Sequence, residues 1–182
     1  MSKSWMLACV AALSLTACNK NNTAKPTSEA AADAAGSDTI AAGLKSNAKF
    51  TAAAKAAGME AVLSGPVPYT VLAPSDAAFD KLPAGAVDTL MKPEGRAELT
   101  AVLSNHLLPG TMLAADIGKA IDAGGGKAMI KTLGGGDLTA TRSGDKIMFA
   151  DAAGTVATVT AADQKRSNGV IHQIDAVLMP TK

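Results

Sequence analysis

Cysteine is almost missing from this chain: Cys9 and Cys18 are the only two among 182 residues. The body of the chain therefore has no disulfide framework and no cysteine-based metal site. Aromatics are equally scarce, with one Trp, one Tyr and three Phe. Ala, Val, Leu and Ile must do most of the packing. Charge of one sign is not in excess either: 17 basic and 16 acidic side chains give a net charge of +1. A nucleic-acid binder would show a basic surplus or a clustered basic face, and neither is visible. The apolar run Trp5–Leu15, broken only by Ser14, falls short of the about 20 residues that span a bilayer.

That run suits the core of a signal peptide instead, with Lys3 supplying the positive start. It closes on Leu15-Thr16-Ala17-Cys18, which resembles the cleavage site of bacterial lipoproteins. The resemblance implies that residues 1–17 are removed and that the Cys18 thiol takes a diacylglycerol and becomes the mature N-terminus. Cys18 is then a lipid anchor to the membrane and not a catalytic thiol. Two or three acyl chains on such a terminus hold it stably, where one chain alone holds only marginally. In Gram-negative lipoproteins an aspartate after the cysteine favours the inner membrane. Asn19 stands there, so the expected location is the cell envelope, at the outer membrane in preference to the inner. Losing Lys3 takes the basic count from 17 to 16, equal to the 16 acidic groups.

Residues 18–36 comprise the lipidated cysteine and a tether. Asn19 to Gly36 is polar and small, with no apolar period, so it cannot bury enough surface to offset ordering entropy. As a flexible chain it spans about 20–25 Å; the Ala-rich second half is the alternative place for a helix turn.

From Ser37 to the end, residues 37–182 read as one domain. Ser37-Asp38-Thr39 offers a helix cap before Ile40 and Leu44, four apart on one face. Phe50–Ala57 reads as a helix ended by Gly58. Tyr69–Ala73 reads as a strand stopped by Pro74, and Ser75 stands at a helix N-cap with Asp76 in the first turn. Pro93-Glu94-Gly95 opens the longest predicted helix, running to about Leu108 with Leu99, Val102, Leu103, His106 and Leu107 as its stripe. Short strands follow at Ala128–Leu133, Leu138–Arg142, Lys146–Phe149, Thr155–Val159 and Gly169–Leu178, separated by Gly, Asp and Ser turns. Helices lead and strands follow, which predicts an α+β domain.

Three blocks in this order are similar to the fasciclin (FAS1) domain: Tyr69–Pro83 (YTVLAPSDAAFDKLP), Leu103–Gly110 (LSNHLLPG) and Ser167–Pro180 (SNGVIHQIDAVLMP). The likeness covers Ser37 to Pro180. It implies a wedge or sandwich of β-strands with a layer of short helices, usually secreted or surface-attached, serving adhesion and matrix or protein interaction without enzymatic activity. Many members place a tyrosine before the central histidine, a region tied to integrin binding in some animal members. Here the residue is Asn105, so that contact is not carried over. The block residues Asn105, His106, Asn168, Gly169, His172 and Asp175 are the candidate interaction or structural positions. Asn168-Gly169 is read as a turn pair tolerant of positive φ.

Sites of chemistry are few. His106 and His172 are the only histidines. Each sits among apolar residues, where a neutral imidazole that donates one hydrogen bond and accepts another is the ordinary outcome. No His-Glu-x-x-His spacing accompanies them. Ser75, Asp76 and a histidine supply the residue types of a hydrolytic triad, but no Gly-x-Ser-x-Gly elbow is present and capping already explains Ser75. Gly124-Gly125-Gly126-Lys127 fails as a phosphate loop, since Ile121 stands where Gly is required and Ala128 replaces Ser or Thr. The expected protein has no catalytic residue, metal or cofactor. Its expected function is a lipid-anchored binding module with a protein, matrix or polysaccharide partner; the alternative is a carrier of a small apolar ligand such as a pigment or lipid.

Overall fold

Helices dominate the first part of the chain and strands the second, but two strands, Tyr69–Pro74 and Leu107–Pro109, are set among the helices. The structure is a computed structural model and describes residues 38–83 and 85–180. The helices are α1 (Ile40–Gly43), α2 (Ala48–Ala57), α3 (Glu60–Ser64), α4 (Asp76–Asp80), α5 (Ala86–Met91), α6 (Arg96–Asn105) and α7 (Ala114–Ala123). The strands are β1 (Tyr69–Pro74), β2 (Leu107–Pro109), β3 (Lys127–Lys131), β4 (Asp137–Ser143), β5 (Lys146–Ala150), β6 (Val156–Arg166) and β7 (Gly169–Ile174).

Local signals account for the early elements. Thr39 caps α1 through its hydroxyl, which accepts from the Ala42 N–H, and Ser75 caps α4 by accepting from Ala78. Gly58 ends α2 at φ +74°, and the Met59 N–H reaches back to the Ala54 carbonyl, as in a Schellman motif.

Helices α5 and α7 are not among the expected elements, and neither is strand β2. The predicted helix from Pro93 to Leu108 breaks into a 3₁₀ turn at Pro93–Gly95 and α6, which stops at Asn105. Leu107–Pro109 is instead strand β2, paired antiparallel with β1 from Val71↔Leu107 to Tyr69↔Pro109. Sheet pairing overrides the helical stripe there, as tertiary context commonly does. Strand β6 also runs on to Arg166, beyond the expected end at Val159.

The sheet order is β2-β1-β7-β6-β5-β4-β3, with β1 and β7 parallel and every other pair antiparallel. Its two edges approach each other: the Leu133 N–H, just past β3, donates to the Leu107 carbonyl of β2 at 2.7 Å. The result is a wedge close to a barrel. One core lies between the helices and one face of β1 and β7, around Phe50, Leu103, Val71 and Ile171. A second lies inside the sheet under α7, around Leu72, Phe149, Ile121 and Leu178. Alternation along β1 sends Val71 and Ala73 to the first core and Leu72 to the second, so this strand is buried on both faces.

Candidate functional site

The candidate residues sit in a frame of buried polar groups, and each has a job within it. Asn168 is 7% exposed and ties three segments together. Its Oδ1 accepts from the Ile40 N–H at 2.7 Å, and its Nδ2 donates to the Leu63 and Gly65 carbonyls at 2.9 and 2.8 Å. Within the Asn168-Gly169 pair only Gly169 has positive φ, at +144°; Asn168 acts through its side chain and not through its backbone. A Cβ on Gly169 would collide with the Tyr69 carbonyl oxygen, where β7 meets β1.

The two histidines stand in one row of the sheet but on opposite faces. Leu72 pairs with His172 across β1 and β7, and its N–H donates to the His106 carbonyl. The His106 ring enters the helical core, edge-on to Phe50 at 6.2 Å between centroids. Its Nδ1 donates to the Val102 carbonyl at 2.7 Å, and its Nε2 accepts from the Leu178 N–H at 3.0 Å. Burial pushes its pKa down to about 4, against weaker opposing pulls from the Val102 carbonyl and Asp151. His106 is thus neutral, with both nitrogens engaged.

His172 faces the other way. Its Nδ1 accepts from the Asp163 N–H at 3.1 Å, and its Nε2 donates to the Met112 carbonyl at 2.9 Å. Burial lowers its pKa, with the Met112 carbonyl and Asp163 opposing. Asp163 sits where β6 departs from regular register and is, among the described residues, the one non-glycine with positive φ, +57°. Its carboxylate accepts from the Ala114 N–H at 2.7 Å, the first residue of α7. Thr70 completes the clasp by accepting from the Met112 N–H and donating to the Gly110 carbonyl, both at 2.8 Å.

Asn105 and Asp175 are placed elsewhere. Asn105 is buried at the end of α6, with Thr132 Oγ1 at 3.2 Å from its Oδ1. It holds the β3–β4 turn against the end of α6. Asp175 is half-buried beyond β7; its Oδ1 accepts from the Thr158 N–H at 2.6 Å, and its carbonyl accepts from Lys81 Nζ at 2.7 Å. These positions do not converge on one point, and Cys18 lies outside the described residues.

Three further polar residues carry the same kind of role and had no distinctive sequence signal. Asp151 is 7% exposed, and its two oxygens accept from Thr155 and Met179 N–H groups, both at 2.8 Å. Asn47 donates to the Pro74 carbonyl at 3.0 Å. Asp163 is the third; in the sequence it lies past the expected end of a strand at Val159.

Among the described residues, no cluster of three or more His, Cys, Asp or Glu side chains is arranged to hold a metal. Ser75 is engaged as the α4 cap. An apolar cleft between α2, α4, α5 and α6 is lined by Phe50, Phe79, Leu82, Leu90 and Leu99, but side chains fill it. The space that water could occupy is about 10 Å³, against the about 300 Å³ or more of a small-molecule site. No helix of the described residues is long and apolar enough to cross a membrane.

Comparison with known proteins agrees with this architecture. Protein sll1483 of Synechocystis is 37% identical over 141 residues, covering 78% of this chain and 71% of that protein. The cell surface glycolipoprotein MPB83 of Mycobacterium bovis is 35% identical over 112 residues, covering 62% of this chain and 44% of that one. A FAS1 domain pair from the insect cell adhesion molecule fasciclin I superposes with a TM-score of 0.70 at 17% identity, over 78% of this chain and 51% of that one. That likeness speaks to fold, and the chain matches about half of the insect pair's length. The family model for the fasciclin domain matches residues 45–180, nearly all of the described domain: the chain belongs to the fasciclin family.

Proposed function

We propose that the protein is a non-enzymatic adhesion or binding module held at the cell envelope, on the outer membrane, by lipid on Cys18. The observation that carries this reading is the fate of the candidate chemical groups. His106, His172, Asn105, Asn168 and Ser75 are all engaged in hydrogen bonds that build the fold. Function then falls to the surface, as is usual where a fold hosts many roles. In support, one relative is named a cell surface glycolipoprotein, and the solved structural neighbour comes from a cell adhesion molecule. The mechanism is presentation: acyl chains fix the chain, the tether gives reach, and a rigid wedge displays a contact surface to a protein, matrix or polysaccharide partner.

The test is adhesion of intact cells carrying the wild-type chain, no chain, or Cys18→Ser, to immobilised matrix protein, polysaccharide and neighbouring cells. The reading expects adhesion that depends on the chain and is lost when Cys18→Ser releases it from the membrane fraction. Equal adhesion by all three strains would overturn it.

A further inference from the structure

Strand register gathers four separate segments at one end of the wedge. Tyr69, which starts β1, pairs with Gly169, which starts β7, and with Pro109, which ends β2. Arg166, which ends β6, also pairs with Gly169. The Gly110 N–H donates to the Pro68 carbonyl, and the Ser167 N–H donates to the carbonyl of Asp38, the first described residue. The end of the domain that receives the tether is therefore the end that carries the loop Gly65–Pro68, the β2 exit at Pro109 and the β6–β7 turn.

The chemistry of this end is uneven. Pro66, Val67 and Pro68 form an exposed tip, with Val67 52% exposed, and Pro109 beside it is also exposed. Lys165 is exposed next to it, and the Arg166 guanidinium lies against Gly43 with its Nε buried and unpartnered among the described residues. Lys45 follows Gly43 by two residues and is exposed. Asp38 is an exposed acid at this end, exposed Glu60 opens the helix that leads into the loop, and the carboxylate of Asp163, further up β6, accepts from the Ala114 N–H. An exposed apolar tip with basic side chains behind it, beside the point of attachment, matches an anionic membrane surface. Apolar groups enter the headgroup boundary and Lys or Arg meets anionic lipid.

We infer that the tether end of the wedge docks on the membrane, with Pro66-Val67-Pro68 entering the headgroup layer and Lys165 and Arg166 contacting anionic headgroups. This inference rests on the lipid anchor proposed above. Nineteen residues separate Cys18 from Asp38, so lipid on Cys18 keeps this end of the domain, and not the far one, next to the bilayer. Docking fixes orientation: β6 runs away from the membrane from Arg166 to Val156, about 30 Å at roughly 3.3 Å per residue. The β3–β6 face, with Met129 74% exposed and Val156 52% exposed, then points outward.

Val67 and Val156 are equally exposed, at 52%, near opposite ends of the wedge, and make a matched pair of reporters. Cys9 leaves with the signal and Cys18 is acylated, so Val67→Cys or Val156→Cys is the single free thiol of the lipidated full chain. Each is labelled with an environment-sensitive fluorophore and reconstituted into phosphatidylethanolamine–phosphatidylglycerol vesicles. The expected result is a blue shift at Val67→Cys and none at Val156→Cys. That shift diminishes in phosphatidylcholine vesicles and in the Lys165→Glu/Arg166→Glu background. A silent Val67→Cys on protein that floats with the vesicles overturns docking while leaving the anchor intact. Protein that fails to float and shows no acyl mass on Cys18 overturns the anchor. A Val67→Cys shift that grows with protein concentration in detergent, and gains nothing from vesicles, assigns the tip to a second copy and overturns the inference.

Discussion

Asn168 offers the sharpest test of how this domain is held together. Its amide satisfies the Ile40 N–H and the Leu63 and Gly65 carbonyls, so one side chain joins α1, the end of α3 and the start of β7. Asn168→Ala removes all three bonds and leaves a fully buried N–H and two carbonyls without partners. Each buried unsatisfied group costs about 1–3 kcal/mol. The Gly65 bond is partly exposed, so water recovers some of that loss, and the total comes to about 3–5 kcal/mol. With an m-value of about 2 kcal/mol/M, the urea midpoint should fall by about 2 M. Asn168→Asp is the more telling variant, because it keeps the acceptor for Ile40 but points a carboxylate oxygen at two carbonyl oxygens. It should be at least as damaging as Asn168→Ala despite its near-identical shape. The assay is urea unfolding of the unlipidated chain, followed by far-ultraviolet circular dichroism at neutral pH. A midpoint shift under about 0.5 M for Asn168→Ala, or wild-type stability in Asn168→Asp, would refute the reasoning.

Gly169→Ala should cost several kcal/mol or prevent folding, since the new Cβ meets the Tyr69 carbonyl and φ is +144°; soluble yield and thermal midpoint read this directly, and a near-neutral result contradicts it. His106 is held neutral with a pKa near 4, below its usual 6.5. The unfolded chain then takes up a proton that the folded one refuses, so stability present above pH 6.5 is lost as pH falls toward 4. The loss is on the order of 3 kcal/mol, and His172, shifted the same way, adds to it. An NMR titration should show no inflection for His106 near pH 6.5, and finding one there would sink this account. Asp151→Asn turns one of two accepting oxygens into a donor facing an N–H; amide exchange at Met179 and Thr155 should accelerate, while protection in β1 stays unchanged.

What could be read from the sequence was whatever depends on neighbours in the chain. Ser75 before Asp76, Gly58 after Ala57 and the alternation in Tyr69–Ala73 each act within a few residues, and each appears as read. The misses share the opposite property. Helix α7 begins at Ala114 after Leu113, a residue with no capping side chain, because its first N–H is satisfied by Asp163, 49 positions away. The stripe from Leu99 to Leu107 fits a helix, yet Leu107 belongs to β2 because Val71 lies beside it. Asn168 shows both sides: its place in a turn was legible, but its role comes from partners 103 to 128 residues away. The histidines were recognisable as buried neutral groups from their apolar neighbours, whereas their placement on opposite faces required the sheet.

These long-range bonds explain why a chain with few aromatics and no cysteine in its body still selects one arrangement. A satisfied buried hydrogen bond contributes only about 1 kcal/mol net, while an unsatisfied group costs about 1–3 kcal/mol. The discrimination therefore lies in the alternatives: a shifted β7 would strand Asn168 and His172, and a detached C-terminal segment would strand Asp151 and His106 together. Apolar contacts among Ala, Val and Leu tolerate sliding, because one aliphatic neighbour resembles another. Hydrogen bonds in a buried network do not, since each donor must meet its acceptor. Buried polar residues thus serve the domain as cross-links that act by geometry. Asn105, His106, Asn168 and His172 stand in the blocks that resemble fasciclin domains, which makes those blocks a record of the fold, while Asn47, Asp151 and Asp163 do the same work from outside them.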